Sequence, residues 1–433
     1  MSRFGDLDVH VFDDRLKAPA KSLYIAGLRK RLMPHSWRTI GILAFTQIAT
    51  WGSVYYAFSI VAPAIGRELG LRSEMVYGAF SWSLLVSGLV ATPAGILLDR
   101  FGGQWIMAAG SMLCGAGLVW LSRAGDTLSY FGAWTVLGAA MSLTMYEAAF
   151  ATINRKFHFN SRQAISTLTL FGGFSSTVFW PLTLKLSTLI GWRDTYFWFG
   201  MAQLLLCLPL HMMLGRDTPA APVHNAPAEP SHTLAEALRH PAFWMLAFAF
   251  SANIFIFSAL SVHLIPLLTD LGHSAAIAVL MASLMGPAQV AGRICERTLL
   301  RDALPQTVGK FTFSALPAAV LALLLFGTQA WAAALFCVLY GMSNGVLTIV
   351  RGTIPQAMFG RANYGAISGA MAGPSLAAKA AGPIVAAAIL SGYASPAALL
   401  VILLAMSIIS LGFYLHAVKG GARGGPASMP TEP

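Results

Sequence analysis

Polar positions punctuate this chain, and between them fully apolar stretches of helix-spanning length recur about a dozen times at intervals of 25 to 45 residues. A helix needs roughly 20 mostly apolar residues to cross about 30 Å of hydrocarbon, and only helices or closed barrels satisfy their backbone groups there. Runs such as Trp105 to Leu121, Trp192 to Met213 and Ser395 to Ala417 are too long and too continuously apolar for barrel strands. The pattern predicts an all-α membrane protein.

The first set of predicted spans is Arg38 to Ile65, Met75 to Leu98, Trp105 to Leu121, Leu128 to Ala151, Ala164 to Thr188 and Trp192 to Met213. The second set is Pro241 to Leu268, Ala275 to Ile294, Thr307 to Phe326, Trp331 to Val350, Tyr364 to Leu390 and Ser395 to Ala417. Between the sets, Gly215 to His240 carries Pro219, Pro222, Pro227 and Pro230 among alanines and reads as a polar linker. The expected organisation is an N-terminal tail (1–37), a six-helix bundle (38–214), the linker (215–240), a second six-helix bundle (241–418) and a C-terminal tail (419–433).

Composition removes the soluble alternative. The hydrophobic fraction is 56% and the charged fraction 10%, against about 25% charged in soluble domains. The net charge of +11 acquires its meaning from position. With both termini and the even-numbered connections on one side, that side collects 22 of the 28 Lys and Arg. The opposite side holds Arg67, Arg72, Arg123 and Arg193, and Lys185 and Lys379 fall inside spans. This asymmetry predicts cytoplasmic termini and accounts for the basic excess without nucleic acid. Met1 to Arg31 has no apolar core, so no cleavable signal peptide is expected and the first span serves for insertion. Cys114, Cys207, Cys295 and Cys337 lie singly in or at the ends of spans and read as packing residues, with no metal spacing.

The two sets look duplicated. Gly95, Asp99 and Arg100 after the second span match Gly292, Glu296 and Arg297 after the eighth, and Ala164-Ile165-Ser166 with Pro181 matches Ala366-Ile367-Ser368 with Pro383. Parallel repeats of this kind place a site at the interface of the halves near mid-membrane. Gly95, Leu97, Asp99, Arg100 and Gly102 resemble the signature loop of the major facilitator superfamily, Gly-x-Leu-x-Asp-Arg-x-Gly-x-basic, with Gln104 in place of the final base. The resemblance covers residues 35 to 418 and implies twelve helices in two pseudo-symmetric six-helix bundles. It also implies that Gly95, Asp99, Arg100 and Gly102, with Gly292, Glu296 and Arg297, gate the cytoplasmic side. Trp51-Gly52 with Tyr55-Tyr56, and Gly292-Arg293, loosely resemble the bacterial monocarboxylate and oxalate/formate porter branch.

Ionisable groups at membrane depth mark functional sites by default. Ser368, Ala372, Ser375, Lys379, Gly382 and Ala386 fall on one stripe of a helix turning 100° per residue, so Lys379 is expected to face open space and an anionic substrate or a coupling carboxylate, snorkelling to the outer interface being the alternative. Lys185, near its helix end, is expected to snorkel. Glu147 is the proton-coupling candidate, although the same arithmetic points it about 100° from the polar stripe of Thr135, Ser142 and Tyr146. A gate contact is its alternative. His263 is a second proton candidate. Tyr146, Gln47, Trp51, Tyr55, Asn253 and Asn344 are the remaining candidate substrate contacts, interhelical hydrogen bonding being the alternative for each.

No Walker loop, His-Glu-x-x-His or nucleophile elbow occurs, so no enzyme activity, cofactor or metal is expected. The expected function is secondary active transport of a small organic anion, most simply a carboxylate, by alternating access coupled to protons. The expected setting is a monomer in the cell inner membrane, with the bilayer, protons and a small substrate as its partners. Efflux of amphiphilic drugs or toxic oxyanions is the first alternative, and a membrane sensor that binds without translocating is the second.

Overall fold

The computed structural model describes residues 37–157, 160–215, 231–300, 302–393 and 395–421. The expected tails, over residues 1–36 and 422–433, and most of the expected linker, 216–230, lie outside the described residues. Among those described, the chain is helical without a strand, in twelve long helices. The first half comprises α1 (Trp37–Leu69), α2 (Ser73–Phe101), α3 (Gly103–Arg123), α4 (Thr127–Lys156), α5 (161–190) and α6 (192–212). The second comprises α7 (Pro241–Asp270), α8 (275–299), α9 (Pro305–Phe326), α10 (Ala330–Phe359), α11 (Tyr364–Tyr393) and α12 (Pro396–Gly421). Among the described residues, nine helices are each long and apolar enough to cross a membrane; α5, α6 and α8, kinked or interrupted, are the others.

The turns follow from local chemistry. Asp126 caps α4 by accepting the Ser129 N–H at 2.8 Å. Gly102 joins α2 to α3 at φ +80°, a backbone angle that side chains disfavour, and Gly191 does the same between α5 and α6 at φ +79°. A short helix, Leu234–Arg239, opens with a Thr233/Glu236 capping box and delivers the chain into α7. The end of the bundle where α1 starts, α12 ends and this segment attaches is termed the linker face, and the opposite end the far face.

Each half has its own far-face core, one around Phe58, Trp134 and Tyr196, the other around Leu260, Phe336 and Tyr340. Toward the linker face the cores merge, since Ile349 and Tyr364 of the second half pack with Leu43, Met107 and Phe150 of the first. Large apolar side chains such as Leu89, Leu128, Trp198, Leu205 and Ile384 point outward, as a lipid-facing surface requires.

Several helices run past their predicted ends. Asp99 and Arg100 lie in the last turn of α2, Glu296 and Arg297 in that of α8, and Arg351 lies well within α10. Hydropathy ends a span where charge begins, but these charged turns are held by contacts with the other half. Arg293, counted above with the loop cations, is a buried side chain inside α8, 5% exposed.

Candidate functional site

Helices lose regular geometry at the centre of the bundle, among them α1, α4, α5 and α8. α1 carries a π-helical segment at Trp51–Tyr56. α4 breaks at Met145, where ψ reaches −164°. α5 turns at Gly173 and Phe174 between the segments Ser161–Gly172 and Ser175–Ala202, and α8 is interrupted at Leu284. Backbone freed at membrane depth must find partners. At the α4 break, Gln47 supplies one by donating Nε2 to Thr144 O at 2.6 Å, while its Oε1 accepts from Trp51 Nε1 at 3.2 Å. Gln47 is thus fully buried and occupied at both ends, supporting α4 and orienting Trp51.

The α4 break also changes the facing of Glu147. Helical arithmetic through Ser142 and Tyr146 turns it away, but the extended residue at Met145 resets the phase. Tyr146 and Glu147 then both line a cavity of about 20 Å³ with Phe250, Thr348, Arg351 and Ser368, room for about one water. Glu147 Oε1 pairs with Arg351 Nη2 at 3.0 Å, each side chain 24% exposed, and joins α4 of the first half to α10 of the second.

On the far-face side of this pair stands Lys379. Its ammonium lies 3.9 Å from the ring centroid of Tyr55 and 5.4 Å from that of Trp51. These are cation–π contacts across the two halves. No acidic group among the described residues pairs with it. Trp51 in turn contacts Tyr55 at 5.2 Å and Tyr146 at 5.1 Å between centroids. The structure therefore brings Lys379, Trp51, Tyr55, Tyr146 and Glu147 together. Lys185 is exposed on α5.

Other candidates sit elsewhere. Asn253 is buried and turned to α12, donating Nδ2 to Ser410 Oγ at 2.8 Å and to Ala249 O at 3.2 Å. Asn344 is half-buried on α10, and its carbonyl accepts the Thr348 hydroxyl at 3.3 Å. His263 lies one α11 turn beyond Lys379, with Nε2 3.0 Å from Pro383 O; a carbonyl only accepts, so Nε2 carries the proton.

The gating candidates divide into two seams. In the α2–α11 seam, the most extensive helix contact among the described residues, Asp99 accepts the Gly365 N–H at 2.9 Å and the Ala366 N–H at 2.7 Å at the start of α11. Gly95 meets the backbone of Gly365, a closeness only glycine permits. Arg155 donates to Asp99 O. Arg100 is exposed over the Phe101 ring at 5.1 Å and makes no contact with the other half. In the α5–α8 seam, Glu296 is 1% exposed and accepts from Arg162 Nη2 at 2.7 Å, Arg162 Nε at 2.9 Å and Ser166 Oγ at 3.0 Å. Arg297 donates to Thr167 Oγ1. Gly292 packs instead within its own half, against Met342 of α10. Arg361 adds a third tie, donating to Asn154 O and Phe157 O of the first half. Among the described residues, the side-chain bonds given above between the halves lie on the linker side of Lys379.

Two buried ionisable groups escape the sequence reading of the site. Arg293 donates Nε to Gly345 O at 3.3 Å and sets Nη1 against Gly173 of the α5 break, where a Cβ would overlap it. The Tyr146 hydroxyl sits against Gly172, the neighbour of Gly173 at the same break. The signal was its place inside a predicted span. His211, the other, is fully buried and bridges Ser111 Oγ at 2.8 Å and Thr46 Oγ1 at 3.0 Å. Gln104, at the departing signature position, donates Nε2 to Met212 O at 2.7 Å and so caps α6 within its own half.

Comparison with known proteins adds the following. The family model described as Major Facilitator Superfamily matches residues 43–378. The chain is 29% identical over 220 residues to an uncharacterized MFS-type transporter, YhjX, of Escherichia coli (strain K12), covering 49% of this chain and 53% of that protein. It is 23% identical over 245 residues to the oxalate:formate antiporter of Oxalobacter formigenes, covering 56% and 58%. The matches thus span little more than half the length of these relatives. The crystal structure of the human organic anion transporter MFSD10 (TETRAN) aligns over 88% of this chain and 97% of its own at a TM-score of 0.62 and 14% identity, a likeness of fold.

Proposed function

We infer the function from one premise: this chain belongs to the Major Facilitator Superfamily. We propose that it is a secondary active transporter of a small organic anion, working by alternating access between its halves. One observation carries the proposal. Lys379 places an ammonium at the centre of the inter-half interface, held by two aromatic rings and, among the described residues, paired with no acid. An uncompensated cation at membrane depth is costly, and a carboxylate substrate would supply the missing charge. Arg293, at the α5 break, offers a second cation, and Trp51, Tyr55, Tyr56 and Tyr146 form one connected aromatic group beside Lys379. The oxalate:formate relative carries anions, which agrees with this reading.

Alternating access is read from the polar layers at one end. Glu147–Arg351 is the floor of the site, and the Asp99 and Glu296 seams lie beneath it. Opening the linker face must break all three, and protonating Glu147 would release the floor. This is the route by which a proton gradient would couple. The excess of Lys and Arg supports reading the linker face as the cytoplasmic one, and the proposed setting is a monomer of the inner membrane.

Counterflow in proteoliposomes tests the proposal. Labelled oxalate, formate or lactate should exchange saturably, Lys379→Ala should abolish that exchange, and Glu147→Gln should uncouple it from a pH gradient. The aromatic wall also favours amphiphilic cargo. Efflux of a dye without acid exchange would replace the anion reading, and binding without exchange would replace transport.

A further inference from the structure

The π-helical segment of α1 is an irregularity that its neighbours hold in place. Over Trp51–Tyr56 the turns widen, and the Ala57 N–H reaches Gly52 O five residues back. Such a bulge inserts an extra residue into a helix and persists where surroundings favour it. Gln203 of α6 donates Nε2 to Thr50 Oγ1 at 3.3 Å, just before the bulge, and to Ser53 Oγ at 3.1 Å, inside it. All three side chains are buried, at 1%, 0% and 2% exposure. Gln203 also begins a second π-helical segment, Gln203–Cys207, in which the Leu208 N–H returns to Gln203 O. One amide therefore ties two irregular turns to each other. On the opposite side Gly52 lies flat against the Phe179 ring, where no Cβ fits.

The bulge decides where two consecutive tyrosines go. On a regular helix, neighbours diverge by about 100°. Here Trp51 contacts both Tyr55 at 5.2 Å and Tyr56 at 6.3 Å. Tyr55 continues to the Lys379 ammonium, while Tyr56 meets Trp180 at 5.7 Å. We propose that Gln203, which hydrogen-bonds Thr50 and Ser53 of α1, is a positioning residue of the anion site: by holding the α1 bulge it allots Tyr55 to Lys379 and Tyr56 to Trp180. The inference rests on the anion-transport reading above.

The test is counterflow of labelled oxalate, formate and lactate by the full chain in proteoliposomes, with apparent KM and maximal rate read separately. Gln203→Leu removes two buried bonds and should raise KM about tenfold with little change in maximal rate. Thr50→Val with Ser53→Ala removes the same bonds from the α1 side and should raise KM alike, and all three changes together should add nothing further. Thr46→Val breaks the neighbouring bond to His211 without touching the bulge and should leave KM within about twofold. An unchanged KM in Gln203→Leu, or an equal rise in Thr46→Val, overturns the inference while leaving anion transport intact. A wild-type chain that exchanges none of the three acids overturns the transport reading and the inference with it.

Discussion

Replacing Glu296 by Gln tests whether the ionic seam sets which face of the protein is closed. Glu296 accepts three bonds, two from Arg162 at 2.7 and 2.9 Å and one from Ser166 at 3.0 Å, at 1% exposure. Glutamine keeps the shape and one acceptor, removes the charge and turns an amide NH₂ toward a guanidinium. Breaking a fully buried pair costs about 3–5 kcal/mol. Arg162 is 19% exposed and also donates to Leu300 O at 2.7 Å, so solvent and this second partner reduce the cost to about 2–3 kcal/mol. The pair joins α5 to α8; in the proposed alternating-access cycle it exists only while the linker face is shut, and the whole loss then falls on the opening equilibrium. That equilibrium should move roughly 30- to 150-fold toward the open form. Spin labels at Gln163 and Thr298, exposed on either side of the seam, report it by pulsed EPR in a Cys295→Ser background, since the other three cysteines are buried. A longer distance should become substantially populated in Glu296→Gln. Arg162→Gln should reproduce it, with the double variant less than additive. A distance distribution unchanged in both single variants, with Tm unchanged, refutes the reasoning.

Other substitutions probe the remaining parts. Gly365→Ala places a Cβ 2.6 Å from Gly95 O and 2.7 Å from Asp99 Oδ1, so the same pair of labels should report opening without any change of charge; an unaltered distance would show that the helices accommodate the methyl. Lys379→Met should lower acid exchange about 100-fold, the scale of about 3 kcal/mol for a charge-assisted hydrogen bond, whereas Lys185→Met, exposed on α5, should stay within about twofold. Equal losses in counterflow would remove the distinction between the two lysines. Gln47→Leu should leave Thr144 O unpaired at the α4 break and lower stability by about 1–3 kcal/mol, read as a fall in Tm of the purified protein; an unchanged Tm would mean that the break is held by other groups.

Hydropathy located all twelve helices because the bilayer imposes one simple demand on each. The glycine and acid of the signature were equally readable, since a close approach and a helix-start acceptor each need a specific residue type. Facing was harder. The 100° rule set Lys379 on a small-residue stripe of α11, and the structure places it at the interface. The same rule failed for Glu147 because Met145 interrupts α4, and nothing in Thr144-Met145-Tyr146 announces a break. The break is stabilised from outside, by Gln47 of α1. Asn253 shows the other limit: an amide at membrane depth needs a partner, and α12 supplies it through Ser410. Arg293 was hidden by its neighbours, because a cation two residues from a helix end looks like a loop charge until the helix is seen to continue.

The duplicated signature did not produce duplicated chemistry. Asp99 binds the first backbone N–H groups of α11, a contact that needs only helix geometry and the partial positive charge at a helix start. Its counterpart Glu296 binds a side chain, Arg162, and a hydroxyl, Ser166. The difference follows from what faces each acid: α11 presents Gly365, which lets α2 come within backbone contact, whereas α5 presents Arg162 and Ser166, which keep the helices apart and fill the gap with charge. The two seams therefore depend differently on conditions. The first is short-ranged and shielded by the packing of Gly95 on Gly365. The second contains a half-exposed guanidinium and weakens as salt screens it. Raising ionic strength should thus loosen the α5–α8 side before the α2–α11 side. Label pairs across each seam, measured through a salt series, would show the two sides parting unequally, and equal parting would mean that the acids act alike despite their different partners.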